Sequence, residues 1–554
     1  MADPKRVKKY DTDLVSFMLF LLTFCIIAVV FTFKDGSDVM FYAGFPMLFS
    51  AAAAAFSLIC VEEFTADQTQ RRLSRKKYGD AVKVFFCVAR FSGICAAAGA
   101  VLFLAGAGIL GGVLIGNSLM VPVFRMYAPA LIALPLMGTM KGFLRGSGSQ
   151  RLSRILLWLF TALFLVLGIV GGLLGAHRGS RVEALLRNED MGAVYCACGI
   201  GIGFSAAALI CAVILAAVSF FSVRRLQRSS RYRQEELFER QGGENPRELF
   251  SYCLERLLPG LVPAIVLSMS VMISYRMWMG AENERAAVQE SLWGGFFGVG
   301  LPVCTGLGLL LAMPFTHPVM MAVRAKMQGK RKTMRFWLLL ALRLSGYVGI
   351  PASAFVFGAA KELAGIFTNL TFKAEEAAVL TLKSGSFLIF LLQTTILVLV
   401  FYWKCGSRRI VMLAAGGAFF AGVVTLVLLR AGGVGITMNV WPLAVMGAVF
   451  LAGLYFLGKS SIIQGVDGSF MTEYILFAVC AAGAVIPLEL LNDYLLMLLP
   501  PAAGFLLMLA VFWILYVLLS LFLHAADLRN LHRIPGGGWI RSLAVVLGVT
   551  GRED

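Results

Sequence analysis

Charged residues are scarce in this chain, and long polar segments are scarcer still. Asp, Glu, Lys and Arg make up 14% of the 554 residues, whereas apolar residues make up 59% and the mean hydropathy is +0.82. Soluble domains carry about 25% charged residues, so this composition excludes nearly every soluble enzyme. The apolar runs do not alternate with period two, which favours membrane helices over a barrel.

Patterns of metal-ligating and catalytic residues are also lacking. The chain has four histidines and eleven cysteines, and the one close cysteine pair, Cys196 and Cys198, has no second pair or nearby histidine. Structural zinc sites need four such ligands at close spacing. No Walker-type loop, His-Glu-x-x-His motif or Gly-x-Ser-x-Gly elbow is present. We therefore expect no metal, no cofactor, no catalytic residue and no ATP-driven step.

Apolar stretches long enough to cross a bilayer fill the chain instead. A spanning helix needs about 20 apolar residues, and short polar joints separate the stretches. We predict an all-α polytopic membrane protein with about fourteen spans in two pseudo-symmetric bundles. The spans lie near residues 14–33, 40–60, 84–108, 124–144, 155–175, 191–222, 252–278, 291–313, 336–357, 376–402, 410–430, 438–457, 473–490 and 495–523.

The net charge of +18 follows the positive-inside rule and does not indicate a nucleic-acid partner. Basic clusters at 71–77, 224–247 and 324–335 fall in loops on the same side of the predicted spans. We therefore place these loops and both termini in the cytoplasm, where they face anionic headgroups. Lys141 and Arg145, one turn apart, are predicted to be lipid anchors on the same side.

The longest polar stretch, residues 224–250, divides the predicted spans into two groups. Short Gly-Ser-Arg turns at 141–151 and 401–409, six spans apart, are consistent with two related bundles. The predicted organisation is an N-terminal bundle over 1–223, a cytoplasmic basic linker over 224–251, a C-terminal bundle over 252–457, and two additional spans with a cytoplasmic tail over 458–554.

Three segments resemble a transporter superfamily. The stretch from Tyr127-Ala-Pro-Ala to Lys141-Gly-Phe-Leu-Arg-Gly-Ser-Gly is similar to the fourth-helix ending of oligosaccharidyl-lipid and polysaccharide flippases. Residues 292–366 follow the order of that family's eighth helix, basic loop and ninth helix, and Leu392-Gln-Thr-Thr395 resembles its tenth. The chain thus resembles the multidrug/oligosaccharidyl-lipid/polysaccharide exporter superfamily, in the branch of stage V sporulation protein B and the lipid II flippases.

The resemblance implies a flippase, not an enzyme. It would move a polyprenyl-pyrophosphate glycan, a polysaccharide or cell-wall (peptidoglycan) precursor, across a bacterial cytoplasmic membrane by alternating access. The first two spans lack the arginines of the lipid II branch, which sets this chain apart from that cargo. The alternatives are a cation-coupled multidrug exporter of the same superfamily and a non-transporting scaffold in cell-envelope assembly. The glycan, the coupling ion and the oligomeric state stay open.

Cations inside the spans are the candidate binding residues, because each costs free energy in lipid unless it faces a cavity or a partner. Arg suits bidentate phosphate contact, and Lys acts as a point charge. Snorkelling to headgroups is the alternative for Arg90 and Arg343, and an interfacial position is the alternative for Arg276. The residues predicted to line a cavity for the pyrophosphate are Arg90, Arg256, Arg276, Arg343 and Lys383.

Overall fold

The computed structural model describes residues 12–227 except 189, ten positions between 247 and 275, 286–405 except 368, 469–498 and 500–523. The secondary structure of this part of the chain is helical, without a strand. The predicted all-α membrane class is therefore confirmed.

The chain forms two compact units. The N-terminal unit is Ser16–Gly294, and the C-terminal unit is Gly295–Asp554 together with Met1–Val15. Most of the predicted linker at 224–251 lies outside the described residues, so the predicted domain boundaries stay predictions.

Seven helices built from residues 12–227 make up most of the N-terminal unit. They are α1 (Thr12–Asp35), α2 (Asp38–Ala55), α3 (Glu62–Ser74), α4 (Tyr78–Leu104), α5 (Met120–Gly146), α6 (Gln150–Leu186) and α7 (Asp190–Gln227). A π-helical segment, Phe56–Val61, joins α2 to α3 in one unbroken span, and a second π-helical segment, Gly108–Ile115, follows α4.

The other helices whose bounds the structure describes lie in the C-terminal unit, apart from the first, which ends at the unit boundary. They are α8 (Ala286–Gly295), α9 (Leu301–Met327), α10 (Arg331–Gly358), α11 (Ala360–Gly365), α12 (Phe372–Gly385), α13 (Phe387–Lys404), α14 (Ser469–Leu498) and α15 (Pro501–Phe522). A π-helical segment, Phe296–Gly300, joins α8 to α9.

Nine helices of the described part are long and apolar enough to cross a membrane, and α12 with α13 makes a tenth if that bent pair is one span. Each coincides with a predicted span, and α14 covers the one predicted at 473–490. The spans predicted at 252–278, 410–430 and 438–457 lie outside the described residues or on isolated positions.

The tenth predicted span, 376–402, is bent in the structure. Helices α12 and α13 meet at 47°, where the sequence reads Gly385-Ser386. The Ser386 hydroxyl donates to the carbonyl of Lys383 over 2.9 Å. Gly-Ser pairs and side chains inserted into the backbone ladder are common causes of helix kinks.

Glycines bring α6 and α7 into backbone contact. A Cβ added to Gly171 would collide with the carbonyl of Gly199, and the reverse also holds. Gly203 meets the Leu167 carbonyl, and Gly201 meets the ring of Tyr127. The Gly199–Gly203 run therefore packs against neighbouring helices through its missing side chains.

Tyrosine hydroxyls attach the last two helices to α10. Tyr474 on α14 donates to the Leu342 carbonyl over 2.8 Å, and Tyr516 on α15 donates to the Tyr347 carbonyl over 2.9 Å. Both acceptors lie on α10, so α14 and α15 are part of the C-terminal unit's core.

Candidate functional site

Lys383 is half-buried at the bend between α12 and α13. Its ammonium lies 5.6 Å from the ring centroid of Phe357, within cation–π range. Phe357 is in the last turn of α10 and Lys383 is in the last turn of α12, so this contact lies near the C-terminal ends of two helices. Within the described part of the chain, no carboxylate pairs with it.

Arg343 is compensated differently. Its Nε atom lies 2.9 Å from Oε2 of Glu473, and the two side chains are 33% and 26% exposed. The pair joins the middle of α10 to the start of α14, beside the Tyr474 hydrogen bond. Arg343 is thus part of a neutral pair and not a lone cation, while its role in substrate binding stays a prediction.

The structure does not bring Arg343 and Lys383 together. The ring that Lys383 contacts, Phe357, is fourteen residues beyond Arg343 on α10, which is about 21 Å along a helix axis. The two cations therefore do not lie side by side, and whether they line one cavity stays a prediction.

Of the other three predicted cations, only Arg90 lies in the described residues. Arg90 belongs to the N-terminal unit and is exposed on α4, which suits the snorkelling alternative. Arg256 and Arg276 lie outside the described residues. Whether any of the five binds cargo stays a prediction.

A carboxylate-rich group that the sequence did not predict lies at one end of the N-terminal unit. Glu290 accepts a hydrogen bond from the Asn117 amide over 2.9 Å, and Asp38 and Asp190 are near enough to act on its charge. Tyr42, 1% exposed, interacts with the same groups. We call these five residues the acidic rim. No group of His, Cys, Asp and Glu in the described residues is arranged to hold a metal ion.

Lys141 and Arg145 do not behave as lipid anchors, which corrects that expectation. Lys141 is 2% exposed, and its ammonium lies 2.5 Å from Oε2 of Glu62. Arg145 Nη1 lies 3.3 Å from the other carboxylate oxygen, Oε1. A lone buried ammonium would be costly, so the carboxylate of α3 determines where these cations point. Glu62 is 79 residues from Lys141 in sequence, and no local signal predicts the pairing.

Comparison with family models and with curated proteins gives no match. Comparison with solved structures gives several matches. An inward-facing multidrug resistance MATE family transporter of the MOP superfamily aligns with a TM-score of 0.55 and 14% identity, over 80% of this chain and 94% of that one. An outward-facing conformation of such a transporter gives a TM-score of 0.53 and 13% identity, over 83% and 96%.

A MOP superfamily transporter from Pyrococcus furiosus, described by a reversed polarity of its binding pocket, aligns with a TM-score of 0.50 and 14% identity, over 83% and 98%. At these identities the likeness concerns the fold, which is MATE-like. The superfamily and its polysaccharide branch stay predictions.

Proposed function

We propose that this chain is a membrane transporter that works by alternating access and that its cargo is an anionic, lipid-linked glycan in a bacterial cytoplasmic membrane. The MATE-like fold supports transport, because solved structures of that fold include both an inward-facing and an outward-facing transporter. The Pyrococcus furiosus transporter supports variation of cargo charge on one fold, since its pocket polarity is reversed.

The observation that supports an anionic cargo is the environment of Lys383. It is a half-buried cation at a helix bend inside a span, with an aromatic ring but no carboxylate as its described partner. Cations held in membrane helices cost free energy, and they commonly mark a pathway for a substrate. A phosphate would supply the missing counter-charge, and Phe357 lies beside the place where it would bind.

The membrane potential can drive such cargo without ATP. Each negative charge moved outward across the full field gains about 2.3 kcal/mol per 100 mV. A pyrophosphate-linked glycan with two charges would gain about twice that amount. Flipping that is unchanged when the potential is collapsed would contradict this part of the proposal.

The test is flipping of a fluorescent polyprenyl-pyrophosphate oligosaccharide in proteoliposomes. Lys383→Glu is expected to lower the flipping rate by at least about tenfold, equivalent to about 1.4 kcal/mol of lost interaction, because it puts a like charge beside the pyrophosphate. Lys383→Arg should retain most of the activity.

Lys373→Glu is the matched control. It makes the same charge change on the same helix, at an exposed position in the first turn, and should flip at the wild-type rate. Equal loss in both variants would indicate a general charge effect and contradict a role for Lys383 in cargo binding.

Cation-coupled export of cationic drugs is the second candidate, and the acidic rim favours it. Three carboxylates grouped around Tyr42 and Asn117 attract cations. Under this alternative, drug efflux would be lost in Glu290→Gln and kept in Asp67→Asn, a carboxylate paired on the surface of α3, while glycan flipping would be absent. Absence of both activities in the wild type would favour the scaffold.

A further inference from the structure

The π-helical segment Phe56–Val61 sets which face of α3 meets α5. A π-helical turn accommodates one extra residue, so the helix beyond it is rotated by about 100° relative to an unbroken α-helix. The rotated face carries the residues that contact α5, spaced as on one helix side. They are Glu62, Thr65, Ala66 and Thr69.

The opposing face of α5 is nearly bare. Gly138, Gly142 and Gly146 meet the carbonyls of Ser57, Glu62 and Ala66. At both Gly142 and Gly146, an added Cβ would lie 2.7 Å from a threonine Cβ of α3. Glycines permit this close approach, and two threonine side chains of α3 lie over the space that the missing Cβ atoms leave.

A buried ion pair at the same contact adds a directional constraint on register. Glu62 uses one carboxylate oxygen for Lys141 and the other for Arg145, one turn further along α5. The Glu62 side chain is 2% exposed and that of Lys141 is 3% exposed. Buried ion pairs contribute little net stability, and their best-attested role is to fix register or to act as a switch.

We propose that Glu62, Lys141 and Arg145 form a register lock that holds α3 at one position on the glycine face of α5, and that Phe56–Val61 is the hinge at which α3 moves when the lock opens. This inference concerns the N-terminal unit alone and does not depend on the cargo. Its test measures structure directly, so its failure is separate from failure of the proposed function.

The test is hydrogen–deuterium exchange of the full chain in lipid nanodiscs. The amides of α3 should exchange at least about tenfold faster in Glu62→Gln than in the wild type, because local opening becomes easier. The amides of α2 should keep their wild-type rates. Asp67→Asn is the matched control: it removes the exposed pair between Arg71 and Asp67 on the same helix and should leave α3 exchange unchanged.

A second variant separates a register lock from a contact that only fills space. Glu62→Met with Lys141→Met replaces the buried charges by apolar side chains, so the unfolding temperature should be kept while α3 still exchanges fast. Wild-type exchange in this double variant, or in Glu62→Gln, would overturn the proposal. If Glu62→Gln does not fold, the double variant alone decides between the two outcomes.

Discussion

Single charged residues inside the spans are compensated in three different ways. Lys141 meets a fully buried carboxylate, Arg343 meets a half-buried one, and Lys383 meets an aromatic ring. The free-energy cost of removing the partner is largest where protein encloses the cation, because no other partner is within its reach. The first pair is therefore structural in character, and the last cation has capacity to take an anion.

The two ion pairs should differ in their contribution to stability. Glu62→Met leaves Lys141 without its buried counter-ion and should lower the free energy of unfolding by about 3–5 kcal/mol. Glu473→Met leaves Arg343, which is less enclosed by protein than Lys141, and should cost less than Glu62→Met. Denaturant or thermal unfolding in detergent measures both. Similar losses in the two variants would contradict the burial argument.

Gly349 on α10 lies against the side chain of Gln393. A Cβ at Gly349 would collide with Oε1 of Gln393, a residue that is 0% exposed and donates to the Leu311 carbonyl. Gly349→Ala should lower stability by about 1–3 kcal/mol through overpacking. Adding Gln393→Ser should recover part of the loss, as seen by the unfolding midpoint. Gly504→Ala, with open space around it, is the control and should cost nothing.

Helices α6 and α7 depend on a backbone contact that has no room for side chains. The close pair of Gly171 and Gly199 allows dispersion and Cα–H contacts along the hairpin, which drive helix association in lipid. Such a contact has no room for an added side-chain atom, whereas a helix face that contacts lipid has room for larger side chains.

Gly199→Ala should therefore lower the unfolding midpoint, with a cost of about 1–3 kcal/mol. Gly93→Ala is the comparison, because nothing lies within 4 Å of the added Cβ on α4. There the change should be neutral or stabilising by about 0.5–1 kcal/mol, the usual advantage of Ala over Gly in a helix. Equal effects at both positions would show that α6 and α7 are not in backbone contact.

Deleting one residue from the π-helical segment tests whether its extra residue directs Glu62. Removal of Ile59 should convert Phe56–Val61 to α-helix and turn Glu62 by about 100° away from Lys141. The α3 amides should then exchange as fast as in Glu62→Gln. An otherwise folded deletion variant with slow α3 exchange would contradict this account.

Orientation in the membrane belongs to the whole molecule. Ser74, at the end of α3, and Ser180, near the end of α6, are both exposed and separated by three spans. The positive-inside rule places Ser74 in the cytoplasm and Ser180 outside. In intact cells, an impermeant maleimide should label Ser180→Cys and should label Ser74→Cys only after permeabilisation. The wild type gives the background, since its described cysteines are buried or half-buried. The reverse pattern would invert the topology.

Apolar length predicted where the described spans lie, because the bilayer imposes one length on every helix. The turn after α5 was also predictable from its Gly-Ser-basic residues: Gly148 has φ +98° there, a conformation that glycine adopts readily. The π-helical interruption at Phe56–Val61 was not predictable, since this segment contains no Gly or Pro. It depends on packing against α5, which single-sequence patterns do not encode.

Charge partners were the least predictable feature of the candidate site. Glu473 is 130 residues from Arg343 in sequence, and Asn117 is 173 residues from Glu290. Within one helix, the spacing in sequence fixes the distance between two residues, so the sequence already places Arg343 far from Phe357 at the end of α10. Between helices, the partner is decided by which faces pack together, and the sequence alone left that open.

The length of α6 has a practical consequence for experimental work on this protein. Its apolar stretch ends near Leu174, yet the helix continues to Leu186 without a break, which adds about 18 Å beyond the hydrocarbon layer. A soluble helical domain fused in phase at this tip would inherit a fixed rotation. It would serve as a fiducial outside the micelle for aligning particles in electron microscopy.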